Sequence, residues 1–173
     1  EAALWGGLSN AGQTCISVEH IYVHERIYPS VVKTLSKSIK KISAGLGDKQ
    51  LGPLSVNFIK KKINNYILEV KKESKIIQGT ADEGCFIAPT LVINPPLHSE
   101  ILKEEIFGPV MTIHPFKDDD EAIALANMTG YGLSASIFGK NHNQIYSISR
   151  RIKAGAITIN DVLTHYGIAD LPF

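Results

Sequence analysis

The spacing of apolar residues along the chain switches repeatedly between a strand period and a helix period, and this alternation constrains the fold more than any other feature. Strands are predicted where β-branched and other apolar residues cluster between turn residues, near residues 17–24, 75–78, 89–93, 110–116, 133–138 and 156–159. Helices are predicted where apolar residues recur every three or four positions, beginning near Pro29, Asn57, Asp119 and Asn141. Such alternation predicts an α/β fold with an open, mainly parallel sheet and helices on both faces. Functional sites in these sheets form in loops beyond the carboxyl ends of the strands.

The bulk composition narrows the class of protein. The chain has 173 residues, of which 44% are hydrophobic, enough for one domain with a substantial core. Its 18 Lys and Arg residues nearly balance its 17 Asp and Glu residues, so a net charge of +1 favours neither nucleic acid nor a membrane surface as a partner. Apolar runs end well short of the about 20 residues that cross a bilayer. The lysines of residues 60–62 are interpreted as the solvated face of a helix.

The chain contains 2 cysteines, Cys15 and Cys85. This number is too small for a disulfide framework and is typical of a reducing compartment, so we expect a cytoplasmic protein. Cys15 ends a glycine-containing loop, residues 10–15 (NAGQTC), and directly precedes the first predicted strand. The local sequence leaves two interpretations open. Cys15 is either a small buried apolar residue, as most free cysteines are, or a reactive group in a loop at the edge of the sheet.

Two motifs resemble those of a known enzyme family. Residues 10–15 resemble the cysteine signature of the aldehyde dehydrogenase superfamily, in which Gly-Gln-x-Cys carries the catalytic thiol. Residues 103–110 (KEEIFGPV) resemble that family's motif for the catalytic-domain side of the cofactor site. Supporting similarities follow in the family's order at residues 131–135, 155–160 and 172–173. Because ordered motifs over essentially the whole chain are poorly explained by coincidence, the chain is identified as a member of this NAD(P)-dependent superfamily and resembles its catalytic domain.

The resemblance implies a covalent mechanism. Cys15 would be the nucleophile that adds to the aldehyde, giving a thiohemiacetal that releases hydride to NAD or NADP and leaves a thioester for water to hydrolyse. The backbone N–H of Cys15 would stabilise the developing alkoxide together with an upstream asparagine. In the second motif, Glu105 corresponds to the residue that hydrogen-bonds the nicotinamide ribose, and Phe107 to the residue that packs beside the nicotinamide. Glu104 is interpreted as a solvent-facing neighbour.

The resemblance also implies an aldehyde pocket at residues 161–170, the counterpart of the family's substrate-anchoring loop. We expect its lining to include Asp161, Leu163, His165 and Phe173. No arginine occurs in this loop, and His165 leaves the identity of the aldehyde open. The remaining histidines are interpreted as surface or strand-packing residues: His20, His24, His98, His114 and His142. No metal-ligand spacing occurs, so no metal is expected. Cys85 is likewise interpreted as a structural residue.

By the same resemblance, residues 1–173 would form the thiol-bearing catalytic domain, and the Rossmann-type NAD-binding domain would be largely absent from this chain. The general-base glutamate and the oxyanion asparagine would lie upstream, so neither Glu1 nor Glu19 is assigned as the base. We therefore expect residues 1–173 alone to be inactive. The intact enzyme is expected to oxidise a small-molecule aldehyde and to form a homo-oligomer, either a dimer or a tetramer. The sequence leaves open whether its cofactor is NAD or NADP.

Two other functions remain open on the sequence. The same fold could serve as a non-catalytic interaction or structural module, and the residues upstream of Glu1 would discriminate between that role and catalysis. A thiol hydrolase that pairs Cys15 with a histidine is less favoured, because no histidine lies in a recognisable partner motif.

Overall fold

The computed structural model of the chain describes residues 1–168 and 170. The α-helices are α1 (Ala2–Leu8), α2 (Tyr28–Ile39), α3 (Asn57–Val70), α4 (Asp119–Ala126) and α5 (His142–Ser149). The strands are β1 (His20–His24), β2 (Ser43–Ala44), β3 (Lys75–Gln78), β4 (Thr80–Ala81), β5 (Thr90–Ile93), β6 (Val110–Phe116), β7 (Ser134–Ile137) and β8 (Ala156–Ile159). Short 3-10 segments occupy Ser9–Gly12, Glu100–Leu102 and Thr164–Gly167. Among the described residues, no helix has both the length and the apolar character needed to span a bilayer.

The central sheet has four strands in the order β1-β6-β5-β3. Strands β1, β6 and β5 run parallel, and β3 pairs antiparallel to β5 at one edge. Strands β2 and β4 form a separate two-stranded parallel sheet, and β7 and β8 form another. The predicted α/β fold with an open, mainly parallel sheet is confirmed.

Helices cover both faces of the central sheet, as predicted. Successive strand residues point to opposite faces, so β5 contributes Leu91 to one core and Val92 to the other. Leu91 packs in the same cluster as Leu35 and Ile39 of α2. Val92 packs in the same cluster as Ile63 of α3. Fully burying one such aliphatic side chain contributes about 1.5–3 kcal/mol, so these two clusters fix the helices to the sheet.

Side-chain caps set the first residues of helices α4 and α5. Asp118 Oδ1 accepts a hydrogen bond from Glu121 N at 2.9 Å, and Glu121 Oε2 accepts one from Lys117 N at 2.7 Å, which together close the first turn of α4. Asn141 Oδ1 accepts hydrogen bonds from Asn143 N at 3.1 Å and Gln144 N at 3.3 Å. Asn141 therefore caps α5, as the sequence predicted.

The N-terminal helix α1 was not predicted, because Gly6 and Gly7 lower helix propensity by about 1 kcal/mol each relative to alanine. Both glycines have a packing reason. A Cβ on Gly6 would lie 2.7 Å from a methyl group of Val18, and a Cβ on Gly7 would overlap the side chain of Met111 in β6. The missing side chains let α1 pack tightly on the sheet, and the loop that follows α1 carries Cys15.

Candidate active site

Cys15 lies at the surface in a turn that precedes β1. The turn closes with a hydrogen bond from Ser17 N to Thr14 O at 2.9 Å, so β1 begins at His20 and not at the predicted Ser17. The thiol of Cys15 is free and exposed, whereas only 3% of the adjacent Ile16 is exposed. Within the described part of the chain, the backbone N–H of Cys15 donates no hydrogen bond. Both the thiol and this N–H are therefore available to a ligand.

The loop before Cys15 has a left-handed backbone. The φ angles of Asn10, Ala11 and Gly12 are 51°, 55° and 71°. Left-handed conformations cost about 1–2 kcal/mol for residues with a Cβ, so surrounding contacts must hold this loop. A Cβ on Gly12 would overlap the carbonyl group of Gly108 and lie 3.0 Å from the carbonyl oxygen of Gly7. The cysteine loop therefore lies directly against the second motif at Gly108.

The side chain of Gln13 fastens the cysteine loop to the segment before α3. Its Oε1 accepts hydrogen bonds from Ser55 N at 2.7 Å and from Ser55 Oγ at 2.9 Å. Its Nε2 donates to the carbonyl oxygens of Asn10 at 3.1 Å and Pro53 at 3.2 Å. The amide of Gln13 thus uses both its donor and its acceptor capacity to fix the position of the turn that contains Cys15.

Glu19 connects the cysteine segment to the second motif. Its Oε1 accepts hydrogen bonds from Ile106 N at 3.0 Å and Phe107 N at 2.8 Å, and its Oε2 also lies 3.0 Å from Ile106 N. Burial raises the pKa of the Glu19 carboxyl group above its usual range, and the nearby charge of Glu105 adds to the increase. The two backbone N–H groups and the ammonium of Lys62 oppose it by favouring the carboxylate.

Glu105 is held through its backbone, and its carboxylate is left available. Lys62 Nζ donates a hydrogen bond to the carbonyl oxygen of Glu105 at 2.7 Å, and the same ammonium lies 5.6 Å from the ring centroid of Tyr66. The side chain of Glu105 is half-buried, and no described residue forms a hydrogen bond or an ion pair with its carboxylate. Glu104 is exposed, as predicted for a solvent-facing neighbour.

The lysines of residues 60–62 do more than solvate a helix face. Lys60 Nζ donates to the carbonyl oxygen of Gly84, and Lys62 Nζ donates to that of Glu105. A solvated helix face is therefore an incomplete description of these lysines, because the side chains of Lys60 and Lys62 reach backbone acceptors outside α3.

Left-handed backbone at residues other than glycine is concentrated in the segments that the sequence singled out. Among the described residues, φ is positive at Asn10, Ala11, Asn94, Phe107, Asn160 and Leu163. All except Asn94 belong to the cysteine loop, the second motif or the predicted substrate loop with its preceding residue. Each left-handed residue other than glycine costs of order 1–3 kcal/mol and persists only where the surrounding structure imposes that conformation. Such strained residues cluster at functional sites.

The predicted substrate loop packs against α1 through Val162, which has 4% of its surface exposed and lies against Gly6. Thr158 Oγ1 donates to the carbonyl oxygen of Asp161 at 2.8 Å, and Asp161 Oδ1 accepts from Val162 N at 2.8 Å. Asp161 is exposed, and Leu163 is half-buried with a φ of 59°. The side chain of His165 and the whole of Phe173 lie outside the described residues.

The cysteine loop thus lies against the second motif and the predicted substrate loop lies against α1, and comparison with known proteins accounts for the combination of these segments. The model of the aldehyde dehydrogenase family matches residues 1–173. The chain belongs to the aldehyde dehydrogenase family. Aldehyde dehydrogenase 1 of Tanacetum cinerariifolium is 37% identical to it over 169 residues, which cover 92% of this chain and 34% of that protein.

Solved structures of aldehyde dehydrogenases share the fold. A mutant of the enzyme from Bacillus cereus matches with a TM-score of 0.86 and 32% identity, over 93% of this chain and 34% of that one. Betaine aldehyde dehydrogenase from Staphylococcus aureus, solved in complex with NAD+, matches with a TM-score of 0.86 and 32% identity over the same shares, 93% and 34%. This aldehyde dehydrogenase chain spans about a third of the length of the relatives it matches.

The histidines of this aldehyde dehydrogenase chain lie mainly in strands and at the surface. His20 Nδ1 and Thr112 Oγ1 are 2.9 Å apart across β1 and β6. Burial lowers the pKa of His20 to about 4, with a further contribution from His114, and burial also lowers the pKa of His114 to about 4. Within residues 1–168 and 170, no His, Cys, Asp or Glu side chains form a group that could hold a metal ion.

Three residues that organise the site were missed by sequence reasoning: Gln13, Glu19 and Lys62. Gln13 was part of the Gly-Gln-x-Cys signature, so the motif itself carried a signal. Glu19 stands in no motif of its own, and the resemblance bears on it only by placing the general base upstream of this chain. Its partners, Ile106 and Phe107, follow it in the chain by 87 and 88 residues. No local sequence pattern predicts a contact over that separation.

Proposed function

We propose that the intact protein to which this chain belongs oxidises an aldehyde to a carboxylate with NAD or NADP, and that Cys15 is its nucleophile. The observation that carries the proposal is the placement of an exposed thiol, beside a backbone N–H that has no acceptor among the described residues, after a strained loop that lies against Gly108. Phe107 directly precedes Gly108 in the sequence, and Glu105 precedes Gly108 by three residues. These are the thiol and one wall of a nicotinamide site.

The Cys15 side chain supplies the covalent chemistry. The thiolate adds to the aldehyde carbon, and the carbonyl oxygen becomes an alkoxide that accepts a hydrogen bond from the N–H of Cys15. Removing one oxyanion-hole donor costs about 3 kcal/mol of transition-state stabilisation in a well-studied acyl-transfer enzyme. After loss of hydride the carbon is held to sulfur as a thioester, and water releases the carboxylate and restores the thiol. The net reaction consumes one water molecule and releases the carboxylate, the reduced cofactor and protons.

The residues present fit NAD or NADP on the chemistry of their side chains. The Glu105 carboxylate offers two acceptor oxygens without a partner in the described part of the chain, which suits the paired hydroxyl groups of a ribose. The half-buried ring of Phe107 offers an apolar surface for a flat heterocycle. When bound, the cofactor supplies a hydride acceptor.

We propose that the substrate pocket is lined by Asp161, Leu163, His165 and Phe173. The support is the contact of Val162 with Gly6, which brings this loop to the helix that leads into the cysteine loop. Asp161 Oδ1 already accepts from a backbone N–H, so its expected contribution is to shape the loop while its other oxygen remains open.

We further propose that residues 1–173 form the catalytic domain of a cytoplasmic homo-oligomer, a dimer or a tetramer. The central sheet ends at β1 on one side, and an outer strand carries main-chain groups that can pair with another strand. Residues 1–173 alone are expected to lack aldehyde oxidation, because misplacement of the reactants by about 1 Å can already slow hydride transfer about 100-fold and this chain supplies only one wall of the cofactor site.

The test uses the intact protein and the variants Cys15→Ala and Cys85→Ala. Each is incubated with a panel of aldehydes and with NAD or NADP, and formation of the reduced nicotinamide is followed by absorbance. We expect turnover by the wild type and by Cys85→Ala, and none by Cys15→Ala, which should still bind cofactor. Turnover by Cys15→Ala, or no turnover of any aldehyde by the wild type, would contradict the proposal; the second result favours a non-catalytic module.

A further inference from the structure

One peptide group in the second motif is held between two side chains of opposite charge. The carbonyl oxygen of Glu105 accepts a hydrogen bond from Lys62 Nζ at 2.7 Å. The N–H of Ile106, on the other side of the same peptide bond, donates to both carboxylate oxygens of Glu19 at 3.0 Å. The positive ammonium therefore faces the negative end of the peptide dipole, and the carboxylate faces its positive end. Charge-assisted hydrogen bonds of this type are stronger than neutral ones.

The next peptide group is held by the same carboxylate. Phe107 N donates to Glu19 Oε1 at 2.8 Å, and Phe107 has a left-handed φ of 55°. Two consecutive peptide planes are thus anchored, one on each side of Ile106, which is fully buried. A planar peptide leaves only the φ and ψ angles free, so anchoring both planes fixes the backbone of Ile106 and the Cα positions from which the Glu105 and Phe107 side chains start.

Glu19 also lies close to the thiol along the chain. It is four residues after Cys15 and is joined to it by the turn that closes at Ser17. One short segment therefore carries both the candidate nucleophile and the carboxylate that holds the second motif. This arrangement links the backbone position of Cys15 to that of Phe107 through the side chain of Glu19.

We propose that Glu19 and Lys62 are positioning residues that set the distance and orientation of Glu105 and Phe107 relative to Cys15. The inference rests on the proposed function, because its consequence is the placement of the nicotinamide against the thiohemiacetal carbon. Neither residue touches the reacting atoms. A displacement of about 1 Å at such a centre can reduce the rate about 100-fold, so loss of the Glu19 acceptor is expected to lower kcat far more than it changes the KM for cofactor.

The test compares four single variants of the full-length protein and the double variant Glu19→Ala/Lys62→Met. Glu19→Ala removes the acceptor, whereas Glu19→Gln keeps an amide oxygen that can accept from both N–H groups. Lys62→Met removes the ammonium and retains an apolar stem over Tyr66. Glu104→Ala is the matched control, because Glu104 is an exposed glutamate in the same motif.

Two readouts are measured for each variant: kcat and KM with an aldehyde and cofactor, and amide hydrogen exchange of the peptide that contains residues 105–108 in the absence of cofactor. We expect Glu19→Ala to lower kcat about 100-fold with little change in KM and to expose the amides to exchange. Glu19→Gln should restore both readouts. Lys62→Met should act in the same direction with a smaller effect, and the double variant should lose less than the product of the two single losses, because both residues act on one peptide group.

Unchanged exchange at residues 105–108 in both Glu19→Ala and Lys62→Met would overturn the proposal. So would a Glu19→Gln variant as impaired as Glu19→Ala, because the acceptor geometry would then not be what matters. If Glu19→Ala does not fold, Lys62→Met decides alone through the same two readouts. Exchange requires no activity, so an inactive wild type refutes the proposed function, whereas an active wild type that is insensitive to both changes refutes the positioning role.

Discussion

Replacing Gly12 with alanine should separate backbone strain from the contact between the cysteine loop and the second motif. Gly12 has a φ of 71°, and a Cβ there would overlap the carbonyl group of Gly108. The left-handed conformation costs about 1–2 kcal/mol for alanine. In addition, Gly108 or the loop must move by about 1 Å to reach an ordinary van der Waals separation. Because Phe107 precedes Gly108, this movement should reduce turnover of the intact enzyme about 100-fold.

Gly47 provides the matched control. Its φ of 73° is nearly the same, but nothing lies within 4 Å of a Cβ placed there. Thermal unfolding and reduced-nicotinamide formation are measured for both variants of the intact protein. We expect Gly12→Ala and Gly47→Ala to share the loss of stability that comes from φ, and only Gly12→Ala to lose turnover. Wild-type turnover in Gly12→Ala, or an equal loss in Gly47→Ala, would refute the reasoning.

Two further predictions concern the thiols and the buried histidines. Iodoacetamide at neutral pH should label Cys15 before Cys85, because Cys15 is exposed and Cys85 is half-buried; peptide mapping that finds the reverse order contradicts this. His20 and His114 have pKa values lowered from 6.5 to about 4, so the unfolded chain binds protons that the folded chain does not. Stability should therefore fall as the pH drops from 6.5 towards 4, by up to about 1.4 kcal/mol per pH unit for each histidine. The raised pKa of Glu19 acts in the opposite direction. His114→Leu should flatten the pH dependence of the unfolding temperature, and an unchanged slope would contradict it.

The elements with a clear apolar period were predictable from the sequence. The strands of the central sheet and the helices α2 to α5 bury one face or both, and burial leaves a regular pattern in the residues. Helix α1 was missed because Gly6 and Gly7 are selected there for close packing on Val18 and Met111, and not for helix formation. The two-residue strands β2 and β4 are too short to carry a period.

The candidate site was predictable only as far as its motifs extend. Cys15, Glu105 and Phe107 stand in recognisable segments, so their resemblance to a family could be read directly. The contacts that assemble these segments are tertiary: Gln13 with Ser55, and Glu19 with the backbone of the second motif. A side chain that binds a distant backbone N–H has no local signature, because the partner is a group that almost every residue carries.

The most direct test of the covalent role of Cys15 is to find the acyl group during turnover. The intact protein is mixed with an aldehyde and cofactor, quenched in acid within the first turnovers, digested and mapped by mass spectrometry. We expect a mass increase equal to the acyl group of the aldehyde on the peptide that contains Cys15, and none on the peptide that contains Cys85. An acyl group on any other residue, with the Cys15 peptide unmodified while reduced nicotinamide forms, would contradict the assignment of Cys15 as the nucleophile.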